Sequence, residues 1–185
     1  MADYLSILHE VREFAAWKQS YEADAPRRQA AGLREVHLMR ELANPNLVGL
    51  LFEVSDVGKA RSMAQSPELA AAMSKAGVIG APVARFRRGT YRPTQAATFA
   101  TLTVDVKDFD VAMKAYAMDA ADRGAAGLTD LGVLQLADKP TNVVLIWAVG
   151  DVARATTFFD SPGLAAQMVN NAGVVGSPER HFWRA

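Results

Sequence analysis

Cysteine is absent from the 185-residue chain, which excludes disulfides, thiolate nucleophiles and Cys-ligated zinc. Histidine is scarce as well: three residues leave few nitrogen ligands for any other transition metal, and no metal site is expected. Net charge is missing too, since 20 Lys and Arg balance 20 Asp and Glu and the basic residues do not gather in one block. The field needed to hold a polyanion is therefore lacking, and nucleic acid is not an expected partner. No segment reaches 18 uninterrupted apolar residues, so a membrane span is not expected. The opening MADYLSILHEVREF has acidic residues where an export signal needs a basic stretch and an apolar core. With half the residues apolar and 22% charged, the composition is that of a soluble globular protein, and a cytoplasmic location is expected.

What the chain does have is a duplication. VREFAAWKQSYEADAPRRQAAGL near the start returns as VKDFDVAMKAYAMDAADRGAAGL at a constant offset of 95. Val11 meets Val106, Phe14 meets Phe109, Tyr21 meets Tyr116, Arg28 meets Arg123, and Gly32-Leu33 meets Gly127-Leu128. One inserted residue before Ala172 shifts the offset to 96, after which AGVIGAP meets AGVVGSP and Phe86 meets Phe182. Repetition at this length marks two copies of one structural unit. Each copy predicts a strand (Tyr4 to His9), a helix over Val11, Phe14, Trp17 and Tyr21 that stops at Gly32, and two strands (Leu33 to Glu41, Leu47 to Val54) around the turn Ala43-Asn44-Pro45-Asn46. A helix pair capped by Asp56 and Ser66-Pro67-Glu68 follows, and then a strand at 81–87. The order is ferredoxin-like: unit 1 over 1–88, a linker at 89–97 rich in turn formers, and unit 2 over 98–185.

Helices cover one face of such a sheet, so the other face should be polar if it meets water. Instead Val48, Leu50 and Phe52 alternate with Leu47, Gly49 and Leu51, and both faces need cover. The expected fold is α+β: two tandem ferredoxin-like units forming a pseudo-two-fold dimeric α/β barrel within one chain. Further oligomerisation is left open.

The stretch from Asn44 to Pro82, with its PNLVGLLFEVSDVGKA and SPELAAAMSKAGVIGAP, resembles the antibiotic-biosynthesis-monooxygenase-like branch of the dimeric α/β-barrel superfamily. The resemblance covers nearly the whole chain, once per half, and implies a fused dimer. It also implies a small apolar, aromatic or polyketide-like molecule as partner. The superfamily includes cofactor-free monooxygenases, heme-degrading oxygenases, small-lactone isomerases and members without a known role. The matched residues are turns, caps and core, so they carry fold and not chemistry.

Chemistry is sought in the differences between the copies, because polar groups kept in one and lost in the other are not needed to build the fold. His9, Trp17, His37, Arg40 and Glu53 align with Val104, Ala112, Gly132, Gln135 and Ala148. With the hairpin centred on Pro45, His37 stands opposite Glu53, a geometry for a general base oriented by a carboxylate. The alternative is a satisfied polar pair at the sheet rim. His9 and His37 lie on strands separated by a third, too far apart to share a metal. Trp17, Arg40 and Tyr21 are the candidate substrate contacts; the alternatives are core packing for Trp17 and Tyr21, and an edge charge that blocks aggregation for Arg40. No dinucleotide, P-loop or nucleophile-elbow motif occurs, and no motif ties a histidine to heme iron, so no cofactor is expected. Two functions follow: a cofactor-independent monooxygenase or isomerase with His37 as base and Glu53 orienting it, or a non-catalytic ligand-binding or stress-related protein. The site is expected in the first half, between helices and sheet; the alternative is a larger apolar cavity in the second half beside Gly132, Ala148 and Ala112, lined by Trp147, Met113 and Tyr116, which would suit an apolar ligand without chemistry.

Overall fold

The computed structural model describes residues 1–185. The first unit contains β1 (Ala2–Val11), α1 (Phe14–Ala23), α2 (Ala25–Ala30), β2 (Leu33–Glu41), β3 (Leu47–Val54), α3 (Val57–Ala64), α4 (Pro67–Lys75) and β4 (Val78–Tyr91). The second repeats the plan with β5 (Thr98–Val106), α5 (Phe109–Met118), α6 (Ala120–Ala125), β6 (Leu128–Leu136), β7 (Lys139–Val149), α7 (Val152–Phe159), α8 (Pro162–Asn170) and β8 (Val174–Arg184). The strands pair in the ferredoxin-like order β4-β1-β3-β2 in the first unit and β8-β5-β7-β6 in the second. Compact units comprise Met1–Arg88 with Trp183–Ala185, and Gly89–Phe182. The end of β8 thus adds to the first sheet, pairing Arg184 and Trp183 with Arg40 and Glu41.

The elements form where the sequence supplies their end signals. Asp56 and Ser66 accept from the backbone N–H groups of Lys59 and Leu69 at 3.0 and 3.1 Å, each satisfying a donor that a helix start leaves unpaired. Gly32, at φ 75°, ends α2 in the left-handed region, and a Cβ there would lie 2.6 Å from Ser55 Oγ. Two features differ from expectation. The first helix breaks at Asp24, and again at Asp119 in the second unit, where Ala121 replaces Pro26; the proline accompanies the break and does not cause it. The last strand of the first unit is also longer than 81–87, running from Val78 to Tyr91.

One core layer in each unit lies between helices and sheet. In the first, Leu5, Leu33, Leu50 and Phe52 from the strands meet Trp17 and Ala60 from the helices. In the second, Leu102, Leu128, Leu145 and Trp147 meet Ala112 and Ala155. Such burial is the dominant stabilising term, about 1.5–3 kcal/mol for each large aliphatic or aromatic side chain.

Candidate functional site

The hairpin of β2 and β3 decides which side chains share a face. Its pairing runs Leu33 with Val54, Arg34 with Glu53 and Glu35 with Phe52, and then slips at a bulge, so that His37 pairs with Leu51 and Leu38 with Leu50. A bulge places two residues of one strand against one of its partner, and shifts every later side chain relative to a regular count. The expected opposition of His37 and Glu53 is therefore not formed. Glu53 makes a salt bridge with Arg34 instead. The same slip recurs at Leu131 in the second unit, so the bulge belongs to the repeated fold.

Cross-strand partners share a face. Glu35, Leu38 and Arg40 lie with the helix-facing Phe52, Leu50 and Val48, whereas His37, Met39 and Glu53 lie on the face away from the helices. On β1, His9 pairs with Val48 and thus faces the helices. The polar residues that distinguish the first half are split between two faces. His37 has its pKa lowered by burial, against the opposing field of Glu35.

Arg40 holds the hairpin. Its Nε donates to the Pro45 carbonyl at 2.7 Å and its guanidinium lies 3.9 Å from the Phe14 ring centre. Gln135 makes the same bond to Pro140 at 3.0 Å in the second unit. Neither role expected for Arg40 describes this: the residue is not on an edge, since it pairs with Arg184, and its donor is kept in both halves. Gly132 likewise is not a stripped site. A Cβ there would come within 2.7 Å of the Thr90 carbonyl and 2.8 Å of the Tyr91 ring, so close approach of chains requires glycine.

A cavity of about 240 Å³ opens between helices and sheet in the first unit. His9, Trp17, Tyr21 and Phe52 form its aromatic wall, Met63 and Met73 line it from α3 and α4, and Asp24, Arg27 and Arg28 supply the charged part of its lining. Trp17 stacks on Tyr21 with ring centres 4.9 Å apart at 22°, and His9 meets Trp17 edge-on at 5.3 Å. The Tyr21 hydroxyl donates to Glu35, and burial, followed by that bond, raises its pKa. Arg28 covers the Tyr21 ring at 3.6 Å and donates to the Tyr21 carbonyl at 2.6 Å. Tyr116, Arg123 and Asp130 repeat this cluster, so it staples helix to sheet in both units and is not by itself a sign of chemistry.

His9 is the exception. It is 6% exposed, neither ring nitrogen has a hydrogen-bond partner, and desolvation lowers its pKa to about 4. A buried polar group without a partner is costly and calls for an explanation. Arg27 Nε, on the same lining, is buried and unpartnered as well, although the Arg27 terminal nitrogen reaches Asp24 at 2.8 Å. All such side-chain atoms in the protein belong to these two residues. The His9-for-Val104 and Arg27-for-Asp122 differences were visible in the sequence; only packing reveals the missing partners.

No family model matches the chain, and no curated protein matches it. Solved structures do. An anthrone oxidase-like protein aligns over 99% of this chain and 90% of its own at 11% identity with a TM-score of 0.70. A monooxygenase-like protein of Listeria innocua aligns over 99% and 93% at 9% identity, TM-score 0.55. A ferredoxin-fold protein related to antibiotic biosynthesis monooxygenases, from Listeria monocytogenes, aligns over 100% and 95% at 7% identity, TM-score 0.51. At these identities the likeness is one of fold, and it extends over nearly the full length of each chain. The protein has the tandem ferredoxin-like fold of the antibiotic-biosynthesis-monooxygenase-like proteins.

Proposed function

We propose that the protein binds a small, mostly apolar aromatic molecule in the helix-side cavity of its first unit. The observation that carries this reading is the buried, unpartnered imidazole of His9 on an otherwise aromatic and aliphatic wall. A ligand pocket combines an apolar lining with a few polar groups that fix orientation. Neutral imidazole offers one donor and one acceptor, while Trp17 and Tyr21 offer flat surfaces. The cavity is smaller than the roughly 300–1,000 Å³ of drug-sized sites, which favours a ligand of one or two rings. His37, Glu53 and Arg40 do not line it, and we assign them no step there.

Methionine methyl resonances test this directly. Met63 and Met73 line the first cavity, Met113 and Met168 the corresponding one in the second unit. Saturable shifts of the first pair on titration with 2-naphthamide are the expected outcome. Shifts confined to the second pair, or none, would overturn the proposal.

The second reading, a cofactor-independent monooxygenase, draws support from His9 as a neutral base beside aromatic walls and from the anthrone oxidase-like neighbour. It requires anthrone and O₂ to give anthraquinone and water, with His9 accepting the first proton. An imidazole titrating near 4 is a weak base at neutral pH, which favours binding over catalysis. Oxygen uptake above the uncatalysed rate, lost in His9→Val, would reverse that preference.

A further inference from the structure

The two helix-side cavities differ in charge as well as in size. In the first unit the charged lining residues are Asp24, Arg27 and Arg28; in the second they are Asp119 and Arg123. Arg123 is matched, because its Nε and a terminal nitrogen hold both oxygens of Asp130 at 3.0 and 2.9 Å. Its counterpart Arg28 has the Tyr21 carbonyl at 2.6 Å and Asp24 only at 3.9 Å, while Glu35 accepts from the Tyr21 hydroxyl. Asp24 must therefore serve two guanidinium groups. Its closer contact is with Arg27, at 2.8 Å, and that contact uses a terminal nitrogen and leaves Nε buried and unpaired. At the position of Arg27 the second unit has Asp122, which inverts the charge.

Resting on the small-molecule reading above, we propose that the first cavity selects an aromatic carboxylate, with the carboxylate accepting a hydrogen bond from Arg27 Nε and the ring lying along Trp17 and Tyr21. A carboxylate supplies the acceptor that Arg27 Nε lacks and balances the one excess positive charge on the lining. Bonds of this charge-assisted kind are about twice as strong as neutral ones. An uncharged isostere offers the same surface without the charge. In the second cavity the arginine is already neutralised and no buried side-chain donor is left unpaired, so it has no such preference.

The test compares 2-naphthoate with 2-naphthamide at pH 7, with dissociation constants taken from the Met63 and Met73 methyl shifts. Wild type should bind the carboxylate about tenfold more tightly, the size expected for one hydrogen bond to a charged group. Arg27→Met keeps the apolar stem and should abolish the preference. Arg27→Asp, which copies the second unit, should make the amide the better ligand. Equal affinities in wild type, or a preference that survives Arg27→Met, would overturn the assignment. If neither probe moves Met63 and Met73, the small-molecule reading itself fails, and the anion preference fails with it.

Discussion

The two units solve the same packing problem differently, and the difference separates scaffold from site. Between helix and sheet the second unit places Trp147 on β7 and Ala112 on α5; the first places Phe52 on β3 and Trp17 on α1. The indole has changed sides. Trp147 Nε1 donates to the Tyr116 hydroxyl at 2.9 Å, whereas Phe52 has no N–H to offer Tyr21. The second unit also has Val104 where the first buries His9, and its cavity is about 110 Å³ against about 240 Å³. One copy has satisfied its polar groups and filled more of its space. The other retains open space and unpaired nitrogens, features that a self-sufficient core lacks.

The largest effects should come from the transposed indoles. Trp17→Ala and Trp147→Ala are each expected to cost about 3–5 kcal/mol in urea unfolding, as for other buried aromatic truncations. Trp147→Ala also removes the indole N–H that the Tyr116 hydroxyl accepts from, and should be the costlier of the two. A cost below about 1 kcal/mol for either would mean that its layer is not packed as described.

Acid should destabilise the first unit through His9. His9 binds a proton near pH 6.5 when unfolded and only near 4 when folded. The unfolded state thus holds more protons between those values, and stability falls as pH is lowered from about 6.5 to about 4, by about 3 kcal/mol in all. Comparison with His9→Val isolates this contribution from those of His37 and the carboxylates. Parallel pH–stability curves for the two proteins would contradict the burial assigned to His9.

A smaller effect tests where the halves agree. Because Arg40 and Gln135 both donate to a turn carbonyl, Arg40→Gln should change stability by less than about 0.5 kcal/mol. Arg40→Ala should cost about 1 kcal/mol, the net worth of one hydrogen bond. If the two variants behave alike, the side chain is not holding the turn.

Much of the scaffold was legible in the sequence because its signals are local. The limits of β2 and β3, the caps at Asp56 and Ser66 and the stop at Gly32 follow from residue type and spacing. The fold followed from the duplication together with two apolar faces on one strand. The site was less legible for three physical reasons. A bulge leaves no compositional mark at Val36 or Leu131, yet it moves His37 and Glu53 out of opposition. Contrast between the copies treats unlike residues as unlike roles, and so misjudged Arg40, whose bond Gln135 reproduces, and Gly132, which is small because another strand passes close. Whether a buried nitrogen has a partner depends on every neighbour in three dimensions; alternation could place His9 toward the helices but could not show it unsatisfied. Trp17 and Tyr21 do line the cavity, as Met63 and Met73 do, while Arg27, charged like its counterpart Asp122 but of opposite sign, did not register as a polar group lost from one copy.

His9→Val bears on the central claim most directly, because it gives the first unit the second unit's own residue. The substitution removes a buried, unpartnered polar group whose burial costs about 1–3 kcal/mol. Thermal unfolding and 2-naphthamide binding should be measured on the same samples at pH 7. The expected result is a Tm higher by about 2–4 °C for each kcal/mol recovered, together with loss of the Met63 and Met73 shifts, the exchange of stability for function that site residues show. A lower Tm with binding unchanged would mean that His9 is ordinary core, and that the first unit's cavity is not a binding site built around it.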